Sequence, residues 1–235
     1  MNRKAFIFGA PNKVYDDADV CSDLGVMAEF LHSPVGGAWG LDEVVSEMGV
    51  TRAKVERAIN DTRKTDYVFM YIAGYGELVK RGLPWPELVV RLTDGQEMTS
   101  GEFSPETPHR TFFWECGHSH RLGNAGSVDV NSPLLSVDGG VSQRTRFFDA
   151  FRGAEQGLIE VLGSSKRSTS LNDLSFTKQM IYESQSWAMK NKGILDLGGA
   201  VDLVTRAFAV RKIQDQPMYR GGRRLKHYPF ALGGT

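Results

Sequence analysis

The chain has 235 residues, 41% of them hydrophobic and 24% charged, which excludes wholesale disorder and a fibrous repeat and, at roughly 100–200 residues per domain, leaves one large domain or two small ones. Lys plus Arg and Asp plus Glu both number 28, so the overall charge gives no pull toward nucleic acid or acidic lipid. No run approaches the ~18 apolar residues of a membrane span.

The start Met1-Asn2-Arg3-Lys4 is followed by too short an apolar run for a secretory signal, and the expected compartment is the cytoplasm. Lys4-Ala5-Phe6-Ile7-Phe8-Gly9 reads as a first strand, buried on both faces in a parallel sheet. Val20, Leu24, Met27, Ala28 and Leu31 recur at helical spacing until Ser33-Pro34 stops them. Thr51 is the expected N-cap of a second helix reaching about Lys64, with Val55, Ala58 and Ile59 on its buried face. Tyr67 to Ala73 reads as a second central strand that opens into the glycine-rich loop Gly74-Tyr75-Gly76. Leu88 to Leu92 reads as a strand ended by an Asp94-Gly95 turn.

Thr111 to Trp114 reads as a third buried strand, running into Glu115-Cys116-Gly117-His118-Ser119-His120. The stretch 121–146, rich in Gly, Ser and Asn, reads as a long loop. Gly157 to Leu162 reads as a strand, and Phe176 to Ala188 and Leu197 to Ala209 as helices. Strands alternating with helices predict an α/β sandwich on a mainly parallel sheet. Ligands meet such a sheet at the carboxyl ends of its strands, which singles out the loops beginning at Gly9, Gly74 and Glu115.

Two cysteines, Cys21 and Cys116, fall short of the about four ligands of a structural zinc site. His118 and His120 alone are weak evidence of a metal, and no metal or other cofactor is expected. Trp39, Trp85 and Trp114 are expected in the core. Arg206, Arg211, Lys212, Arg220, Arg223, Arg224 and Lys226 make the C-terminal stretch locally basic, most simply a solvated face, with nucleic acid the minority reading.

The order of these features resembles the caspase and metacaspase superfamily of cysteine peptidases. In that family a histidine sits in a Ser-Gly-His-Gly type segment after an apolar strand; Tyr71-Ile72-Ala73-Gly74-Tyr75-Gly76 is similar to it, with Tyr75 in the histidine's place. The nucleophile of the family sits in an Asp-Ser-Cys-His-Ser-Gly type segment, which Glu115-Cys116-Gly117-His118-Ser119 resembles, with Gly117 in the cysteine's place. Ser22-Asp23-Leu24 looks like the family's Asn-Asp-Ala helix start, and Asp94-Gly95 with Glu97-Met98-Thr99 like the turn before the cysteine strand. Ser164-Ser165, Phe176-Thr177 and Gln216-Pro217 resemble small-subunit features in the same order.

The resemblance implies a three-layer sandwich on a six-stranded, mainly parallel sheet. It implies a single domain with a large-subunit-like part at 1–120, the loop at 121–146 and a small-subunit-like part at 147–235. It also implies a degenerate dyad. A cysteine peptidase needs a thiolate beside a base; glycine has no side chain to attack with, and a phenol of ordinary pKa about 10 is protonated at neutral pH. The expected protein is therefore a pseudo-peptidase that binds a partner or serves as a structural or regulatory subunit. The alternative is an endopeptidase cutting after Arg or Lys with Cys116 as nucleophile and His118 beside it, although Cys116 and residue 117 face opposite ways on a strand. In metacaspases an acidic pocket selects Arg or Lys; Asp23 and Glu115 correspond to its acids and Ala73 to a serine that lines it. They are expected either to hold an Arg or Lys of a partner or, more plainly, to cap a helix (Asp23) and pair with a local Arg (Glu115). Self-processing would fall in the loop, where Arg144 and Arg146 are basic cut sites, but without a nucleophile the chain is expected to stay intact. The resemblance leaves the oligomeric state open.

Overall fold

Side chains on a strand point alternately to the two faces of a sheet, and the central strands of this chain are apolar at nearly every position, so the sheet has to be covered on both sides. The structure is a computed structural model that describes residues 1–11, 17–79, 87–103, 105–116, 140–151, 156–163, 175–211, 217–220 and 228–234. In chain order its elements are β1 (Arg3–Ala10), α1 (Asp17–His32), β2 (Val44–Met48), α2 (Arg52–Asp61), β3 (Tyr67–Val79), β4 (Glu87–Arg91), β5 (Glu97–Thr99) and a short 3₁₀ turn (Ser100–Phe103). They continue with β6 (His109–Cys116), α3 (Gly140–Ala150), β7 (Gly157–Leu162), α4 (Phe176–Lys190), β8 (Gly193–Asp196), α5 (Leu197–Val210), β9 (Met218–Arg220) and β10 (Pro229–Gly233).

Six strands run β2-β1-β3-β6-β7-β9 across the sheet. The first five are parallel, and β9 closes the edge antiparallel to β7. β4 and β5 form an antiparallel hairpin on the far half of β3, while β8 and β10 make a separate antiparallel pair. Ala5, Ile7, Tyr67, Phe69, Tyr71, Ala73 and Phe113 face a core built with α1, α3, α4, α5 and β10. Phe6, Phe8, Val68, Met70, Ile72, Phe112 and Trp114 face a second core with α2, the hairpin and Phe103. Each fully buried Val, Ile, Phe or Met side chain among them contributes about 1.5–3 kcal/mol. The expected three-layer α/β sandwich on a mainly parallel six-stranded path is the observed one. No described helix is long and apolar enough to cross a membrane.

Three expectations are corrected. The second strand does not stop at Ala73 but runs on through Gly74-Tyr75-Gly76 to Val79. These glycines serve close approach, not turning: a Cβ on Gly74 would lie 2.6 Å from the Ala10 carbonyl oxygen, and one on Gly76 would lie 2.9 Å from Cys116 Cβ. Next, the last part of the stretch read as a loop, 121–146, belongs to α3; residues 121–139 lie outside the described residues. Finally, α2 stops at Asp61 rather than near Lys64 because the Thr62 hydroxyl donates to Ile59 O at 2.6 Å and the chain turns. Elsewhere the reading holds: Thr51 caps α2, Asp94-Gly95 is the hairpin turn with Gly95 at φ +80, and Trp39 and Trp114 are core residues. Trp85 lies outside the described residues.

Arg144 and Arg146 are not open cut sites. Arg144 pairs with Glu43 and lies over Phe148, while Arg146 donates to the carbonyls of Gly193 and Gly233 at 3.4 and 2.8 Å. Phe147 and Phe151, on the same helix, are buried against Tyr67. A protease needs locally unfolded chain, so native-state trypsin digestion is expected to leave both bonds intact while cutting the exposed turn at Arg63-Lys64. Early mass-spectrometric detection of an end at 144 or 146 would contradict this.

Candidate functional site

Parallel pairing brings the three singled-out strand ends side by side: Gly9 opposite Ala73, Ala73 opposite Glu115, and Ala10, Gly74 and Cys116 in the next row. Around this row the residues expected to carry chemistry go to different places.

Tyr75 belongs to the hairpin. Its strand partner is Arg91, whose own partner is Glu97, so the three side chains form a ladder across β3, β4 and β5. The Arg91 guanidinium lies 5.6 Å from the Tyr75 ring and binds Glu97 at 3.0 Å. The Tyr75 hydroxyl donates to Glu77 Oε1 at 2.6 Å. That bond to a carboxylate, reinforced by partial burial and the Glu77 charge, raises the phenol above its ordinary range, opposite to what a general base requires.

Cys116 points to the other face, with the core of Trp114 and Ile72. Its thiol donates to Ile72 O at 3.7 Å. Burial, and secondarily the Glu115 charge, push the thiol pKa well up, so the sulfur is a protonated hydrophobe at neutral pH. Gly117 and His118 lie outside the described residues.

The acids do converge, and the chain itself meets them. Asp23 sits within α1, not at its start, and is 1% exposed; Glu115, at the end of β6, is 5% exposed. Both reach the N-terminus of α4, where backbone N–H groups lack helical partners and carboxylates are favoured. Glu115 Oε2 accepts from the Thr177 amide at 3.1 Å and its hydroxyl at 2.8 Å. Asp23 Oδ1 accepts from the Ser175 hydroxyl at 2.6 Å and lies 3.6 Å from Lys178 Nζ. Tyr71 bonds the Thr177 hydroxyl at 2.9 Å. Burial first, then the charges of Asp23 and Glu115, hold Tyr71 well above the ordinary phenol range. Ala73 is buried among its apolar neighbours. Asp23 is thus no cap of its own helix, and among the described residues Glu115 binds the N-terminus of α4.

Sequence reasoning missed Glu77, Arg91, Tyr71, Ser175 and Lys178. A signal existed for two of them: Ser175 stands immediately before an apolar helical run, an N-cap pattern, and Glu77 two residues from Tyr75 shares its face once β3 is continued. Among the described residues no group of three metal-ligating side chains is assembled.

No family model matches this chain, and no curated protein matches it in sequence. Solved structures do match it in shape. The Drosophila initiator caspase Dronc superposes with a TM-score of 0.55 at 10% identity, covering 98% of this chain and 82% of that one. Pro-sf-caspase-1 superposes with a TM-score of 0.54 at 10% identity, covering 94% of this chain and 88% of its own. A likeness at this identity carries the fold and nothing finer, and with the strand order and flanking helices described above it establishes that the chain has the caspase-like fold.

Proposed function

We propose that this chain is a caspase-like protein, of the caspase and metacaspase kind, that has lost the His/Cys dyad and no longer cleaves peptides. It acts in the cytoplasm as a protein-binding, structural or regulatory subunit. The observation that supports the reading is the setting of Tyr75, in the histidine's place, and of Cys116, the neighbour of Gly117. Tyr75 takes part in a hairpin ladder and donates its hydroxyl proton to Glu77, and the half-buried Cys116 donates its thiol to Ile72 O, with burial pushing the thiol pKa up. Raised pKa values suit neither group to the thiolate and base roles of acyl transfer. The partner chemistry that suits two carboxylates is an Arg or Lys of a protein or peptide segment.

The test is turnover of a mixed library of Arg, Lys and Asp peptides, with and without calcium, by the native protein and by Tyr75→His/Gly117→Cys. Silence from the native protein and cleavage by the double variant are expected. Iodoacetamide at neutral pH is expected to label Cys116 at least about tenfold more slowly than the exposed Cys21, since only the thiolate reacts. Native cleavage that vanishes in Cys116→Ala would replace this reading with the endopeptidase one.

A further inference from the structure

The two acids are held by protons whose direction can be assigned. The Thr177 hydroxyl has one proton, which goes to Glu115 Oε2, so in its bond with Tyr71 it accepts and the phenol donates. The Ser175 hydroxyl likewise gives its one proton to Asp23 and accepts from the Lys178 amide at 3.2 Å. Tyr71, Thr177 and Ser175 therefore all orient toward two carboxylates, and the Thr177 amide joins them. Lys178 completes the arrangement. A cation in the first turn of a helix opposes the macrodipole, and here it is placed beside Asp23, 3.6 Å away and 19% exposed.

We infer that Asp23 and Glu115 form a charge-held latch on the first turn of α4, with Lys178 as a resident cation beside Asp23, so that the turn opens as a unit separate from global unfolding and its opening helps uncover the acid pair. The latch ties α1, β3 and β6, the three elements at the candidate site, to the helix that covers them. Shut, it leaves the two acids almost without solvent contact. An outside Arg or Lys then has to compete with Lys178 and the two hydroxyls. That last point rests on the proposed partner chemistry; the latch itself does not.

Amide hydrogen exchange by NMR on the full chain tests it, comparing native protein with Glu115→Gln, Asp23→Asn and Lys178→Met at one pH. The probes are the amides of Thr177 and Lys178. The references are the Lys54 amide, capped by the Thr51 hydroxyl on α2, and the Phe69 amide in the central sheet. Loss of one charge-assisted bond set is expected to speed probe exchange by about tenfold or more while both references keep native rates. Probe amides that exchange at the native rate in all three variants would overturn the latch. So would equal acceleration of probes and references, because the turn would then open only with the whole fold. Lys178→Met, the most exposed of the three sites, carries the same test should a buried variant not fold.

Discussion

Glu43→Ala is expected to remove about 3–5 kcal/mol of stability, the range for stranding one member of a buried ion pair, and urea unfolding at neutral pH measures it. Arg3 begins β1 with its side chain fully buried. Its Nε donates to Glu43 Oε2 at 3.1 Å and its Nη2 to the carbonyls of Gly37 and Ala38 at 3.1 and 3.0 Å, while Nη1 has no hydrogen-bond partner among the described residues. The rings of Trp39, Phe148 and Phe147 stand 4.2, 4.8 and 5.1 Å from the guanidinium carbon. Burial already lowers the Arg3 pKa, and the bond to Glu43 opposes that shift. Without Glu43, π faces and two carbonyls are left to hold a desolvated cation. Against a typical total of about 5–15 kcal/mol, that is a large share. Arg144, a second cation at Glu43, is 43% exposed, and Arg144→Ala is expected to lose only about 1 kcal/mol. A loss under about 1 kcal/mol in Glu43→Ala would mean that another anion serves Arg3.

Gly36→Ala and Gly25→Ala are expected to move stability in opposite directions. In the turn after α1, the Ser33 hydroxyl donates to Phe30 O at 2.6 Å and accepts from the Gly36 amide at 3.1 Å. A Cβ on Gly36 would overlap the Phe30 carbonyl oxygen and come within 3.1 Å of Leu31 Cα. Those are backbone atoms of a packed helix that cannot swing away, so a loss of about 3 kcal/mol, the upper end for overpacking, is expected. The turn also supplies Gly36 O to Trp39 Nε1 and Gly37 O to Arg3, so displacing it disturbs the guanidinium cage as well. Gly25, by contrast, is exposed in mid α1 with nothing within 4 Å of the added atom. There alanine restricts the unfolded chain and is expected to gain about 0.5–1 kcal/mol. Thermal melts of the two variants beside the native protein decide it; equal signs would refute the steric assignment.

The parts of the fold that could be read from sequence were those with uninterrupted apolar runs. Tyr67 to Ala73 and Thr111 to Trp114 announce strands buried on both faces, and the 3-4 spacing from Phe176 and Leu197 announces helices packed on them. What stayed hidden depended on partners far away in the chain. β8 and β10 are short, carry Gly or Pro, and exist because they pair with each other. β2 has only Val44 and Val45 as a local signal and is ordered by β1. Gly74-Tyr75-Gly76 has the composition of a loop but is held straight by β1 and β6 at Gly74 and by β4 at Tyr75 and Gly76. At the site, the positions of Asp23, Glu115 and Tyr75 were legible, but their partners were not. Ser175 and Thr177 come from a helix whose docking angle no local pattern specifies, and Glu77 was hidden by ending the strand too soon.

The centrality of β3 also constrains how this chain is made. Phe69 needs Ala5 on one side and Thr111 on the other, and no hairpin links those three strands. A nascent chain leaving the ribosome can pair β1 with β2 and β3 early, but the sheet is incomplete until Cys116 is out, and β3 waits with its β6 edge unpaired. Topologies dominated by such distant pairings close slowly, in about milliseconds to seconds, and expose aggregation-prone strands meanwhile. Production at low temperature or with chaperones present suits a polypeptide whose central strand waits for a partner from much further along the chain.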